Sequence, residues 1–430
     1  MQMTTAKLPK QPVATADLAG TTVTLCMIVK DEEALLGKCL ERAAGVWDEL
    51  VVVDTGSQDN TVNIAKAAGA IVLERPWDHD FAAARNFGLA AARGDWVLYL
   101  DADEMLCDEV KEQIRLTTKN AGVGAATLVF RNRLPHGNVH LSNLLRLFRR
   151  FPDVTFRYPI HEEVWSSLEP CLRRSAKRVS ALTGVVEHLG YQMERAQEKN
   201  KKERDVTLLR RCLGADPTDL YSWYKLLEVA SFWKDDELLT GTVNAFRGHL
   251  PALGGYGLAG FPFAGELLSM MVQGLYKADA NAALLFLSPW ADRISPSAAY
   301  HLRMAELWES VGEPLRAAAE FCKCMALRDV TRDQQLASVR PLLGLSRLAL
   351  MRGDLWEAWS HTENALKANP LDREALLSAL LICREAAGRG GVGDFVKAYE
   401  AVHGATLELS ATLSELAAMP GWLNPEPVAA

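Results

Sequence analysis

The sequence predicts an open α/β domain with a mostly parallel sheet, followed by an all-α helical-repeat region. Three observations predict it. Between residues 21 and 104, short β-forming apolar runs alternate three times with helical patterns over short connections. After about residue 205 the strand signals stop, and helices with alanine-rich faces take over. Glycine and proline then recur in that part at the spacing of a helical-hairpin repeat.

Each element has its own signal. TVTLCMIV at 22–29 is rich in β-formers, and Glu32 to Ala44 then places Leu35, Leu36, Cys39, Leu40 and Ala43 on one helical face. LVVVD at 50–54 is a continuous apolar run, as in a strand covered on both sides. Asp59 stands where an N-cap belongs, ahead of TVNIAKAA, and Gly69 closes that helix. AIVLER at 70–75 is the third strand. Asp80 opens the helix FAAARNFGLAAAR, Gly94 stops it, and DWVLYLDADE at 95–104 is the fourth strand. Further on, Leu345, Gly353, Asp354, Ala358, Ala365 and Pro370 fall at tetratricopeptide spacing, with a weaker copy at Ala305, Gly312, Ala317 and Phe321. The two glycines are 41 residues apart, so the array is irregular or carries an inserted turn. Tyr221 to Leu250 reads as another helical pair. The expected division is a tail at 1–20, an α/β domain at 21–204, a helical domain at 205–415 and a tail at 416–430.

Composition narrows the function. The chain has 430 residues, a formal charge of −7, 49% hydrophobic and 23% charged residues, the balance of a globular protein. A net acidic total argues against coating of nucleic acid. No run approaches the about 18 apolar residues of a membrane-spanning helix, so no transmembrane segment is expected. The first 20 residues lack the apolar core of a signal peptide. Eight cysteines are scattered without a CxxC pair, so neither a zinc ribbon nor a disulfide framework is implied, and a cytoplasmic location is expected. HEEVW at 161–165 lacks the second histidine of a zinc-protease helix, and His136 and His140 flank a stretch containing glycine; neither is read as zinc-binding.

In an open parallel sheet, ligands bind beyond the carboxyl ends of the strands. Three acidic clusters fall at that edge: Asp31-Glu32-Glu33, Asp54, and Asp101-Ala102-Asp103-Glu104. Crowded carboxylates repel unless a cation or several donors lie among them. Positions i and i+2 at a strand end point the same way, so Asp101 and Asp103 are expected to reach one site. Hard oxygen ligands of this kind suit Mg²⁺ or Mn²⁺, with waters and substrate phosphates completing the shell.

The segments LCMIVKDEE, ELVVVDTGSQDNTVNIAKAAGA and FAAARNFGLAAARGDWVLYLDADE resemble the nucleotide half of family 2 glycosyltransferases of the GT-A (Rossmann-like) fold. RYPIHEEV at 157–164 and EHLGY at 187–191, followed by helical repeats, are similar to the subgroup joining that domain to tetratricopeptide units, which includes peptide S-glycosyltransferases of the sublancin type. The resemblance implies a nucleotide-binding half at 21–104 and an acceptor half at 105–204. It implies a UDP-sugar donor whose base or ribose meets Asp54, the backbone from Met27 to Lys30 and a side chain such as Glu32. Arg85, with Asn86 beside it, would lie near the diphosphate. Asp103, aided by Asp101 across Ala102, would hold Mn²⁺ or Mg²⁺, with His188 completing the metal site. An inverting reaction needs a general base near the acceptor, and Glu162 is the candidate. Phe148, Phe151, Phe156, Tyr158 and Trp165 are candidate platforms for a sugar or peptide. A peptide, protein or glycan acceptor and a homodimer through the helical domain follow from the same resemblance. Alternatives are a lipopolysaccharide-core transferase with peripheral membrane association, and a repeat scaffold with a silent transferase domain.

The charge is uneven. Arg131 to Arg211 holds 17 Lys and Arg against 9 Asp and Glu, a net +8, against −15 for the remainder. That basic segment is placed to attract an anionic donor or an acidic acceptor surface.

Overall fold

A computed structural model describes residues 21–133, 139–189, 195–276, 279–327 and 334–418. The expected tail at 1–20, the rest of the C-terminal tail from 419, His136, Gly190 and Tyr191 lie outside the described residues. The chain divides into two compact units, one of residues 1–132 and 142–255, the other of 133–141 and 256–430.

In the first unit, β1 (Val23–Val29), β2 (Glu49–Asp54), β3 (Ile71–Glu74) and β4 (Trp96–Tyr99) alternate with α1 (Leu36–Ala43), α2 (Thr61–Ala67) and α3 (Phe81–Ala91). There follow β5 (Glu104–Met105), α4 (Asp108–Thr118), β6 (Val123–Arg133), β7 (Val139–Arg149), α5 (Trp165–Arg174) and β8 (Arg178–His188). The sheet has eight strands in the order β3-β2-β1-β4-β7-β6-β8-β5. Its first four strands pair in parallel, as the alternating pattern predicts. Beyond them β7 runs antiparallel to β4, β8 is parallel to β6, and β5 is antiparallel to β8. The whole is a mixed sheet, and its antiparallel part belongs to the half in which the sequence shows no clear period.

Both faces are covered. Leu25, Met27 and Val29 of β1 pack with Leu36, Cys39, Leu40 of α1 and Val110, Ile114 of α4. Cys26, Val51, Val97 and Tyr99 pack the other way, with Ala82 of α3 and Leu168, Cys171, Leu172 of α5. Apolar residues on both faces explain why LVVVD reads as an unbroken run. Local signals were largely obeyed. Asp80 caps α3, accepting from the Ala83 N–H at 2.8 Å. At α2 the capping position is Asn60, yet Asp59 does the work from one residue earlier, accepting from the Thr61 N–H at 2.9 Å. Gly94 does not stop α3, which already ends at Ala91; a Cβ there would press on the Thr24 backbone at 2.7 Å, so glycine is needed for strand approach.

Three further helices extend past β8: α6 (Arg195–Ala215), α7 (Leu220–Phe232) and α8 (Asp236–Ala259), and the division between the units falls within α8. The second unit contains α9 (Ala264–Leu275), α10 (Ala280–Leu287), α11 (Ala298–Ser310), α12 (Pro314–Ala326), α13 (Gln334–Ala337), α14 (Val339–Met351), α15 (Leu355–Ala368), α16 (Arg373–His403) and α17 (Leu407–Ala417). α11–α12 and α14–α15 are the two anticipated hairpins, turning at Gly312 (φ 77°) and Gly353 (φ 74°), where a left-handed backbone favours glycine. The short α13 occupies part of the insertion that stretches the spacing to 41. Ala305, Ala317, Ala358 and Ala365 are fully buried, as close helix approach requires. Gly344 of α14 marks the tightest approach, because a Cβ there would overlap the buried Phe321 ring of α12. Gly344→Ala should cost about 1–3 kcal/mol by overpacking. Urea unfolding checks it, and an unchanged midpoint would show that Phe321 can move aside.

Candidate active site

The carboxyl edge of the parallel strands carries a laced rim. Residues 31–33 follow β1 as an irregular turn, with Asp31 in a left-handed conformation (φ 54°), so α1 starts later than the periodicity predicts. The Gln58 N–H donates to Asp31 Oδ1 at 2.7 Å and the Asn60 N–H to Glu33 Oε2 at 3.0 Å. In return the Glu32 N–H donates to Thr61 Oγ1 at 2.7 Å and the Glu33 N–H to Asp59 Oδ2 at 3.0 Å. Asp54 is buried at the end of β2, and its carboxylate accepts from the Gly56 and Ser57 N–H groups at 3.1–3.2 Å. Its two oxygens therefore shape the loop that follows β2. Met27 directs its side chain into the core, while Lys30 is exposed.

Asp101-Ala102-Asp103-Glu104 is a turn. β4 ends at Tyr99, so the alternation that would aim both aspartates the same way does not operate here. The Glu104 N–H donates to Asp101 O at 3.1 Å and the Asp101 N–H to Glu104 Oε2 at 3.0 Å, closing the turn. The Cys39 thiol of α1 braces it from below, 3.3 Å from Glu104 O. The two carboxylates consequently part company.

Asp103 turns toward His188. The antiparallel register of β5 and β8 sets Glu104 opposite His188, and the Leu189 N–H donates to Asp103 O at 2.9 Å. His188 Nε2 then lies 3.3 Å from Asp103 Oδ2. Its Nδ1 is 2.7 Å from Oδ1 of Asn132 on β6, and Asn132 Nδ2 donates to Ser142 Oγ at 3.0 Å. Asn132 Oδ1 accepts from Nδ1–H, so Nε2 carries its proton toward Asp103 when the ring is charged, and in the neutral ring is the nitrogen left to bind a metal, the arrangement of a metal-binding histidine with a supporting partner. Burial disfavours the imidazolium, yet the hydrogen bond and charge of Asp103, then Glu104 and Asp101, raise the His188 pKa above its ordinary value. Among the described residues, Asp103 Oδ1 is buried without a hydrogen-bond partner. Glu32 feels the same crowding: burial first, then Asp103 and Asp101, push its carboxyl up to about 7.

Asp101 turns instead toward two arginines. Its Oδ1 accepts from Arg85 Nη2 at 2.8 Å and its Oδ2 lies 3.5 Å from Arg146 Nη2. Burial penalises the Asp101 carboxylate, but Arg85 and then Arg146 overcome this and hold its pKa well below the usual range. Arg85 Nε donates in turn to Glu162 Oε1 at 2.6 Å, and Arg146 pairs with Glu104. Burial outweighs the pull of Arg146 and leaves the Glu104 carboxyl pushed up to about 7, while Glu104 more than offsets the burial of Arg146, whose guanidinium stays protonated. The result is a chain of alternating charge, Glu162–Arg85–Asp101–Arg146–Glu104. Tyr99 lies between the guanidiniums, its ring centroid 4.9 Å from Arg85 Cζ and 4.6 Å from Arg146 Cζ.

Of the residues picked out in the sequence, Glu32, Arg85, Asp101, Asp103, Glu162 and His188 are brought together by this network. Ala102 is buried within the turn. Asn86 uses both amide atoms on the Phe156 backbone, at 2.8 and 2.9 Å, and so holds the chain ahead of Glu162. Phe148 and Phe156 are core residues packed edge-on to Tyr99, not open platforms. Glu104 was part of the acidic cluster read from the sequence, whereas Arg146, Tyr99 and Asn132 escaped it. For Arg146 and Asn132 the one signal was a charged or amide side chain in a strand, as in LLRLF at 144–148.

The residues fit a divalent cation. Among the described residues no group of three or more His, Cys, Asp or Glu side chains is arranged to hold a metal unaided. A partnerless buried carboxylate oxygen beside an oriented imidazole suits instead a cation whose shell is completed by phosphate oxygens and water.

Residues 24–167 match the family model described as glycosyl transferase family 2. A TPR repeat-containing protein of Synechococcus elongatus is 43% identical over 210 residues, 48% of this chain and 52% of the relative. Glycosyltransferase SunS, SPbeta prophage-derived, of Bacillus subtilis is 27% identical over 200 residues, 46% of each chain. The match thus spans about half the length of these relatives. Among solved structures, glucosyl-3-phosphoglycerate synthase from Mycobacterium tuberculosis, in complex with Mn²⁺, UDP and glucosyl-3-phosphoglycerate, is 20% identical with a TM-score of 0.35, over 49% of this chain and 88% of that one. No helix among the described residues is long and apolar enough to cross a membrane. The parallel strands, the edge motifs and the family match fall together on one stretch of chain: residues 24–167 are similar to glycosyl transferase family 2.

Proposed function

We propose that the chain is a metal-dependent, inverting glycosyltransferase that moves a sugar from a nucleoside-diphosphate sugar, a UDP-sugar, to a peptide or protein side chain or a glycan. The observation that carries this reading is the buried, partnerless Asp103 Oδ1 beside His188, on the ligand edge of a family 2 domain. Kinship with a protein named a glycosyltransferase supports it. Asp103 and His188 would hold Mn²⁺ or Mg²⁺, which would supply neutralisation of the charge growing on the leaving diphosphate.

The chain's own residues do the rest. The rim of 31–33 and 54–61 binds the nucleoside, its backbone pre-set by the side-chain bonds that lace it. Arg85 is held between Asp101 and Glu162 and cannot swing away, so its positive charge stays fixed at the sugar end of the site. Glu162 is 14% exposed; Arg85 engages its Oε1, and Oε2 takes the proton from the attacking acceptor. Phe156 and Tyr99 close the floor beneath Arg85 and keep water from it. Scattered cysteines without a disulfide pattern are the support for a cytoplasmic location, and the sequence resemblance is the support for a homodimer formed through the helical region.

A panel of nucleotide sugars with Mn²⁺, read by nucleotide release, tests the activity. Release from a UDP-sugar is expected; no release from any donor would favour a repeat scaffold with a silent domain. Glu162→Gln should leave donor affinity unchanged and lower the turnover number about 10²–10⁴-fold, the span of general-base catalysis. An unchanged turnover number would remove Glu162 from the role.

A further inference from the structure

The segment carrying Glu162 is a small closed loop. Arg157 and Glu163 exchange backbone hydrogen bonds at 2.9 and 3.1 Å, which leaves residues 158–162 as its arc. Two residues of that arc are left-handed without being glycine, Tyr158 (φ 71°) and His161 (φ 52°). Each costs on the order of 1–2 kcal/mol, and such a backbone persists only where its surroundings impose it. Phe81 at the start of α3 contributes one constraint, its N–H donating to Pro159 O at 2.8 Å. The others come from Tyr221 of α7, which lies beyond the family-matched stretch but in the same compact unit.

Tyr221 meets the loop twice. Its hydroxyl donates to His161 O at 2.6 Å, the carbonyl of the peptide that leads into Glu162. Its ring stacks on Tyr158, with centroids 3.8 Å apart and planes at 18°. Tyr221 is itself fixed: it is buried, its N–H donates to the capping Asp219 at 3.0 Å, and Lys225 Nζ lies 5.7 Å from its ring centroid. One rigid side chain therefore engages both left-handed residues of the arc.

We propose that Tyr221 is a positioning residue for Glu162, so that α7 is a working part of the catalytic unit. The inference rests on the reading of Glu162 as the base. Rotation of the 161–162 peptide would swing the carboxylate off Arg85 and away from the acceptor, and a displacement of about 1 Å in such a group can cost 10²-fold in rate.

The experiment uses the full chain with Tyr221→Phe, Tyr221→Leu, Glu162→Gln and the Glu162→Gln/Tyr221→Leu double variant. It reads the turnover number for UDP release, UDP affinity, melting temperature, and amide hydrogen exchange over residues 157–163. Tyr221→Leu should lower the turnover number about 10–10²-fold, with UDP affinity within about twofold and faster exchange confined to 157–163. Tyr221→Phe keeps the stack and should fall between Tyr221→Leu and wild type. In the Glu162→Gln background, Tyr221→Leu should cost nothing more, because the group it positions is already gone. Additive losses, or a Tyr221→Leu turnover number equal to wild type, overturn the inference. If Glu162→Gln alone is fully active, the base assignment fails; the exchange data then decide, and unchanged exchange over 157–163 overturns the positioning of the loop as well. Tyr221→Phe serves as the decisive variant if Tyr221→Leu melts early.

Discussion

Asp103→Ala is expected to abolish metal-dependent turnover while leaving the protein folded. Among the described residues, one carboxylate oxygen of Asp103 has no hydrogen-bond partner and the other meets His188, so little packing depends on the side chain. Its removal also relieves the crowding that pushes the Glu32 carboxyl up. The thermal midpoint should stay within a few degrees of wild type. Rate should suffer far more: loss of one pre-aimed electrostatic stabiliser costs about 10²–10³-fold, and loss of a cation with it costs more. Nucleotide release in saturating Mn²⁺ measures the first effect, and Mn²⁺ titration by calorimetry measures the second. Full activity in Asp103→Ala would end the metal assignment.

Arg85→Leu should produce the largest loss of stability. The side chain is only 6% exposed and bridges two carboxylates on different parts of the chain, Asp101 after β4 and Glu162 before α5. Breaking a buried pair by removing one partner costs about 3–5 kcal/mol, because the remaining charge is stranded. Asp101 retains 38% exposure and a second arginine, so the lower end of that range applies there; Glu162, at 14%, is the more costly orphan. Urea unfolding should report a fall of about 3 kcal/mol. The double variant Arg85→Leu/Glu162→Gln should recover part of it, because a neutral amide strands no charge. Arg85→Lys should not restore activity, since one ammonium cannot serve two carboxylates in fork geometry. Equal stability of Arg85→Leu and wild type would show the ion chain to be energetically idle.

The basic segment acquires a different meaning from these contacts. Arg131 to Arg211 sums to +8, yet several of those cations serve the sheet from within. Arg146 neutralises Glu104 and Asp101, Arg149 lies over the Trp96 ring and donates to Val123 O, and Arg131 pairs with Glu187. Part of the charge that suggested attraction of an anionic ligand is thus structural.

The chain by itself determined what depends on neighbours in sequence. The strand–helix alternation of 22–99, the caps at Asp80 and beside Thr61, and the glycine turns at 312 and 353 follow from local periodicity and backbone preference. The same locality marked Asp54, Asp101 and Asp103 at one edge, while Arg85 was drawn from the family resemblance. Tertiary structure decided what crosses the chain. Only β5–β8 register could deliver His188 to Asp103, and only the buried pairing with Arg85 and Arg146 could turn Asp101 away from it. Asn132, Arg146 and Tyr221 carry no local pattern, because their partners lie 10 or more residues away and each contact exists only once the sheet and α7 have closed around the site. A buried charge or hydroxyl takes its role from whichever group the fold sets within 3 Å of it, and sequence spacing does not encode that distance.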